Sequence, residues 1–369
     1  MVPCAEIRRL ATVTVRSSRH PTPDPLMPKP KKHKAELIDY VCAAENNPDD
    51  FRARMALVGA YQQHGQKDKA LQELAEMEKA FPGEAVLFVA WGNLHMKERS
   101  WRDAVEAYQN AIDMGERTEE VYYGLGLAYR GAGRIDDAKK AFSAAAALNP
   151  ESLESFLCLA SVLFETGEYD KAISILEGVR PRHNGDARLL HLLGAACSRK
   201  GDDFKASIFV EEGLKHTPED KKLLALRAEI LLQTRRFEEA IKEYDGLIAK
   251  HGEDSLFLCN RGLARETVGE RRAALQDYDR ALEIEPRNMV ARTNRGMLHA
   301  GSGAVGKAID DFEKALKIKP DDTVLLHNLG VACLKKGSLA GAEKALKKAC
   351  KLKHQPSCDL LRKISQRKK

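Results

Sequence analysis

Nine alanines stand 34 residues apart. Ala70, Ala104, Ala138, Ala172, Ala206, Ala240, Ala274, Ala308 and Ala342 keep this spacing without an insertion. A strict period of that length makes each repeat one supersecondary unit that buries its apolar face against its neighbours. Other positions share the period. Twelve residues before the alanine stands a small residue in eight units: Gly92, Gly126, Ala160, Gly194, Ala228, Gly262, Gly296 and Gly330, with Val58 as the exception. Five residues before it stands Gly65, Gly133, Gly167, Gly201, Gly269, Gly303 or Gly337, replaced by Arg99 and Arg235 in two units. Twelve residues after it comes Pro82, Pro150, Pro218, Pro286 or Pro320.

These positions predict a helical hairpin. The first helix stops at the glycine, where a left-handed cap is cheap without a Cβ. The second helix carries the alanine and, four residues on, a large residue such as Tyr108, Phe142, Tyr244, Tyr278 or Phe312. The small residue of the first helix is expected to face the alanine and let the backbones approach. Proline ends the second helix. The chain is 43% apolar with only 6% aromatics, a balance that favours helices over sheets.

The pattern resembles the tetratricopeptide repeat, W-x2-L-G-x2-Y…A-x3-F…P, and residues 122–150, YYGLGLAYRGAGRIDDAKKAFSAAAALNP, match it almost throughout. The resemblance implies an all-α fold, a right-handed superhelical solenoid of antiparallel helix pairs whose first helices line a concave face. Nine units of 34 residues cover 51–356. Residues 35–50 are expected to form a capping helix, and 357–369 a second cap and a basic tail. Residues 1–34 are Pro-rich and basic and are expected to be disordered; a start at Met27 would remove most of that segment.

The period also decides a conflicting motif. Residues 301–308, GSGAVGKA, satisfy G-x-x-x-x-G-K of a phosphate-binding loop. Such a loop needs a preceding strand, and Ser or Thr after the lysine to hold magnesium. Here a helical segment precedes it, position 308 is the inter-helix alanine, and Gly303 is the hairpin glycine. The stretch is a turn between helices. The paired glycines Gly124 and Gly126 likewise fall inside a first helix.

No catalytic residues, cofactor or metal are assigned. Cys350, His354 and Cys358 have a ligand-like spacing, but Pro356 is expected to interrupt the helix that would align them, and no fourth ligand is evident. Cys158, Cys197, Cys259 and Cys333 sit in apolar helical patterns and are expected to be buried, reduced thiols of a cytoplasmic protein. No run of 18 apolar residues occurs, so no membrane span is expected. Residues 1–34 carry a net +6 and residues 344–369 a net +9; with +6 overall, the body carries −9.

Function is then sought where the units differ. The sixth position is Ala, Gly, Cys or Leu in units one to six, then Asn260, Asn294 and Asn328. The resemblance places it on the concave face. Leu256, Val290 and Val324 stand at the second position, and Leu263, Met297 and Val331 at the ninth. An amide offers donors and an acceptor to any peptide backbone. An amide row between apolar rows therefore suggests a groove for an extended segment. It resembles the asparagine ladder of the superhelical peptidyl sugar transferases, whose catalytic domain is absent here. The charged clamp some family members use for C-terminal carboxylates is not present. Arg227, Arg261 and Arg295 at the seventh position, with Glu243, Asp277 and Asp311 sixteen residues later, are expected to bridge each hairpin.

The expected function is a non-catalytic scaffold or adaptor that binds protein partners through extended segments. No small-molecule substrate or nucleic acid is expected. The alternative is a self-associating assembly protein whose acidic body meets the basic end of another copy.

Overall fold

A computed structural model describes residues 37–367. Those residues hold twenty α-helices and no strand. Leu37–Asn46 comes first, eighteen helices follow in antiparallel pairs, and Gln355–Arg367 comes last. The expectations for residues 1–34 lie outside the described residues.

Unit three shows how the sequence dictates the hairpin. Glu119–Gly131 forms the first helix and Ile135–Leu148 the second. Thr118 caps the first, its Oγ1 accepting from the Val121 amide at 3.4 Å. Gly133 turns the chain at φ 76°, and Ala138 and Phe142 are fully buried in the second helix. The other hairpin glycines also have positive φ, and Arg99 and Arg235 are forced to φ 59° and 61°.

All nine period alanines have no exposed surface. The close approach is made differently from the expectation. A Cβ on Gly126 would lie 2.6 Å from the Phe142 ring, and one on Gly262 2.8 Å from Tyr278. The small residue thus makes room for the large side chain four residues beyond the alanine. Tyr108, Phe142, Tyr244, Tyr278 and Phe312 are at most 1% exposed. Each buries a large apolar area, worth roughly 2–3 kcal/mol.

A further periodic feature anchors the first helices. Asp50, Asp186, Asp220, Asp254, Asn288 and Asp322 each accept a hydrogen bond from a first-turn amide. They supply an acceptor to N–H groups that have no partner within the helix.

The chain divides after His183 into two compact bodies. The division falls where unit four is irregular. Its second helix ends early at Val179, and Arg180–Arg182, carrying Pro181, makes a 3-10 turn. The phosphate-loop-like stretch lies in the second body. Met289–Gly301 ends within it, Gly303 makes the turn at φ 84°, and Val305 starts the next helix.

The C-terminal end departs from the sequence reading. Pro356 lies in the first turn of Gln355–Arg367, a position where a missing N–H costs nothing. The preceding helix has already ended at Lys351, and Lys353 reverses the chain at φ 65°. Cys350 and Cys358 are thereby brought to a Cα separation of 4.8 Å and form a disulfide. Cys158, Cys197, Cys259 and Cys333 are free and buried as expected. The terminal helix packs on Leu339–Lys351, and its Ile364 and Ser357 are buried. Ser357 Oγ lies 3.0 Å from His327 Nδ1 and 2.8 Å from His354 Nδ1.

Candidate peptide-binding surface

The first helices of units seven to nine are Ser255–Thr267, Met289–Gly301 and Thr323–Lys335. Each touches the next, so their outward positions form one surface. The second, sixth and ninth residues of each helix share a face, being four and three residues apart.

The apolar rows are open to solvent. Leu256, Val290 and Val324 are 51%, 58% and 56% exposed, and Leu263 and Met297 are 41% and 43% exposed. Val331 is half-buried. These side chains recur at the same positions of adjacent helices, which distinguishes them from scattered surface apolar residues. Asn260, Asn294 and Asn328 are half-buried between them.

One of the asparagines is held from behind. Asn260 Nδ2 donates to the Tyr244 hydroxyl at 3.1 Å. Asn294 occupies the equivalent place one unit on, sixteen residues after Tyr278. Tyr278 donates to Glu266 Oε2 at 2.9 Å. Burial pushes both phenols well above their ordinary pKa, so they stay protonated. Each tyrosine lies sixteen residues before its asparagine, on the preceding unit. At Asn328 that place is taken by Phe312, which has no hydroxyl. The spacing was visible in the sequence, but the tyrosines could be assigned there only to the core.

The tyrosine bond decides what the amide presents. An Asn side chain has two N–H donors and one acceptor oxygen. With one N–H spent on tyrosine, Oδ1 and the second N–H remain. That pair matches the N–H and C=O of a peptide backbone.

An ion ladder lies on the same helices. Arg261 bonds Asp277 of its own hairpin at 3.0 and 2.6 Å, and Asp245 of the preceding unit at 2.6 Å. Arg295 repeats this with Asp311 at 2.9 Å and Asp279 at 2.7 Å. Arg227 hydrogen-bonds Glu243 at 2.7 Å and forms a looser ion pair with Glu211 at 3.6 Å. The expected bridges are present, and each arginine also reaches an acid sixteen residues earlier. The Asp277 and Asp311 side chains are 4% and 2% exposed, but Glu243 is 18% exposed. The buried pairing is therefore confined to units seven and eight. Hydrogen bonding to Asp311 holds the Arg295 guanidinium above its ordinary pKa.

In the first body, polar side chains link successive first helices. Lys97 Nζ donates to Gln62 Oε1 at 2.8 Å, and Arg130 pairs with Glu165. Among the described residues, no group of three or more His, Cys, Asp or Glu is placed to hold a metal. No helix of the described residues is long and apolar enough to cross a membrane.

Family models described as tetratricopeptide repeat match residues 89–138, 129–196, 206–255, 259–323 and 324–355. The chain belongs to the tetratricopeptide-repeat proteins. This member is 28% identical over 140 residues to human "Protein O-mannosyl-transferase TMTC1", covering 38% of this chain and 16% of that protein. It is 23% identical over 210 residues to "TPR repeat-containing protein YpiA" of Bacillus subtilis, covering 55% and 48%. The tetratricopeptide-repeat chain thus spans less than half the length of either relative. Among solved structures, human IFIT1 with m7Gppp-AAAA superposes with a TM-score of 0.56 at 16% identity, over 92% of this chain and 88% of that one. That likeness is one of fold.

Proposed function

We propose that the protein is a non-catalytic adaptor that holds an extended segment of a protein partner across the first helices of units seven to nine. The observation that carries this reading is the row of asparagines set between exposed apolar rows, with Asn260 oriented by the Tyr244 hydroxyl. The amides serve the partner's backbone and the apolar rows its side chains.

The reading assigns no chemistry. The human relative is named a transferase, but this chain spans only 16% of it. Nucleic acid is not proposed either. The likeness to IFIT1 is of fold, and the body between the basic ends is net acidic. The four buried free thiols favour a cytoplasmic setting, against which stands the Cys350–Cys358 disulfide.

The test is a selection of random linear peptides on the full chain and on an Asn260→Ala, Asn294→Ala, Asn328→Ala variant of equal helicity. Peptides enriched on the wild type and lost on the variant support the groove. Equal enrichment on both moves the binding surface elsewhere. Self-association through the basic end is the alternative, favoured by the opposite charges of body and C-terminus. It requires a salt-sensitive increase in mass that disappears when residues 344–369 are removed.

A further inference from the structure

The surface of units seven to nine differs from its equivalents in charge. At the second position, units one to six carry Arg52, Val86, Glu120, Glu154, Arg188 and Lys222, five of the six charged. Units seven to nine carry Leu256, Val290 and Val324 instead. The sixth and ninth positions of these three units are also uncharged, so no charge stands at any of the nine places. Nearby charges on the same helices are engaged elsewhere. Arg265 is bound to Asp277 at 2.9 Å, Glu266 accepts from Tyr278 at 2.9 Å, and Arg292 bonds the Pro286 carbonyl. Lys335, at the end of the last helix, reaches the Ala300 carbonyl at 3.4 Å.

A charged side chain laid on these nine positions would lose water and meet no counter-charge there. An extended segment directs successive side chains to opposite sides of its backbone. Its alternate residues would rest on an apolar row while the backbone met the amides. We infer that units seven to nine select an uncharged extended segment with apolar side chains at alternate residues. Asn260 and Asn294 supply the backbone contacts, and the second-position residues supply the selection against charge. This inference rests on the groove proposed above, and concerns which segments it accepts.

The test uses labelled nine-residue synthetic peptides and the full chain, read by fluorescence anisotropy. The parent peptide alternates threonine with valine and leucine. Three relatives carry lysine at the central apolar residue, glutamate there, or N-methyl groups on alternate backbone nitrogens. The parent is expected to bind, and all three relatives to bind at least about tenfold more weakly. Loss with both lysine and glutamate excludes a bulk-charge effect of the acidic body. A Val290→Glu variant should restore binding of the lysine peptide by about tenfold and still reject the glutamate peptide. Val290 is 58% exposed, so the substitution leaves the core intact. If the charged peptides bind as well as the parent, or the parent does not bind, the selectivity is wrong. If binding is the same for the N-methylated peptide and for the triple asparagine variant, the groove itself is wrong.

Discussion

Arg261 grips Asp277 across the hairpin of unit seven with two hydrogen bonds, Nε to Oδ2 at 3.0 Å and Nη2 to Oδ1 at 2.6 Å. Arg265 donates to the same carboxylate at 2.9 Å, and the Asp277 side chain is only 4% exposed. Asp277→Ala would remove the buried acid that Arg261 and Arg265 share and leave both guanidinium groups to the exposed Asp245. Loss of one partner of a buried pair costs roughly 3–5 kcal/mol. The partly exposed Glu243 pairs with Arg227 in the equivalent place, and Glu243→Ala should cost only about 0–1 kcal/mol. Urea denaturation of the two variants side by side checks the contrast. Similar midpoints would mean that burial does not set the value of this ladder.

Acid should weaken the fold through one buried and two half-buried histidines. His191, His299 and His327 all have lowered pKa values, chiefly from burial, with Lys222 adding to the effect at His191 and His354 at His327. The folded state therefore favours the neutral ring. Its contribution is fully present above the unfolded pKa of about 6.5, and is lost as pH falls below that value towards the folded pKa. Urea midpoints should fall between pH 7.5 and 5. In a His191→Leu variant the fall should be smaller. An identical pH profile would remove His191 from the account.

Arg99 and Arg235 hold left-handed turns that glycine holds in the other seven units. A non-glycine residue pays about 1–2 kcal/mol in this conformation, partly offset by the extra chain entropy that glycine loses on folding. Arg235→Gly should stabilise the chain by about 0.5–1 kcal/mol, read as a higher melting temperature. Arg235→Ala should give no such gain.

The disulfide ties the terminal helix to its neighbour across a short loop. Closing a loop of this size is worth roughly 2–3 kcal/mol in the chain-entropy account. Each unit of a solenoid depends mainly on its neighbours, so the loss should be local. Reduction should speed amide exchange in residues 355–366 while leaving units one to six unchanged. Equal acceleration along the chain would contradict a local role.

What could be read from the sequence follows from what each feature depends on. The hairpin, the buried alanines and the left-handed turns are steric needs that recur at fixed offsets within one unit. Arg261 and Asp277 share a hairpin, and their pairing was legible for the same reason. Asp245 was missed because its contact with Arg261 crosses to the preceding unit, where the stacking between units decides which side chains meet. Tyr244 was missed as an anchor for a different reason. Burial accounts for its ring, and only the structure shows where the hydroxyl ends. The Cys350–Cys358 bond depends on the reversal at Lys353, a left-handed residue that no glycine announces.

The tyrosine anchor gives a prediction that runs in both directions. Tyr244→Phe removes the hydroxyl bound to Asn260 while keeping the buried ring. One neutral hydrogen bond is worth about 1 kcal/mol, so binding of a groove peptide should weaken roughly fivefold. Helicity should not change. Phe312→Tyr does the reverse. Phe312 stands sixteen residues before Asn328, where Tyr244 and Tyr278 stand relative to Asn260 and Asn294. A hydroxyl added there should orient the third amide and tighten binding by a similar factor. Isothermal titration of a selected peptide against both variants checks the pair. Slower exchange of the Asn328 side-chain amide protons in Phe312→Tyr would locate the new bond. Should Tyr244→Phe bind like the wild type, the amide row does not owe its orientation to tyrosine.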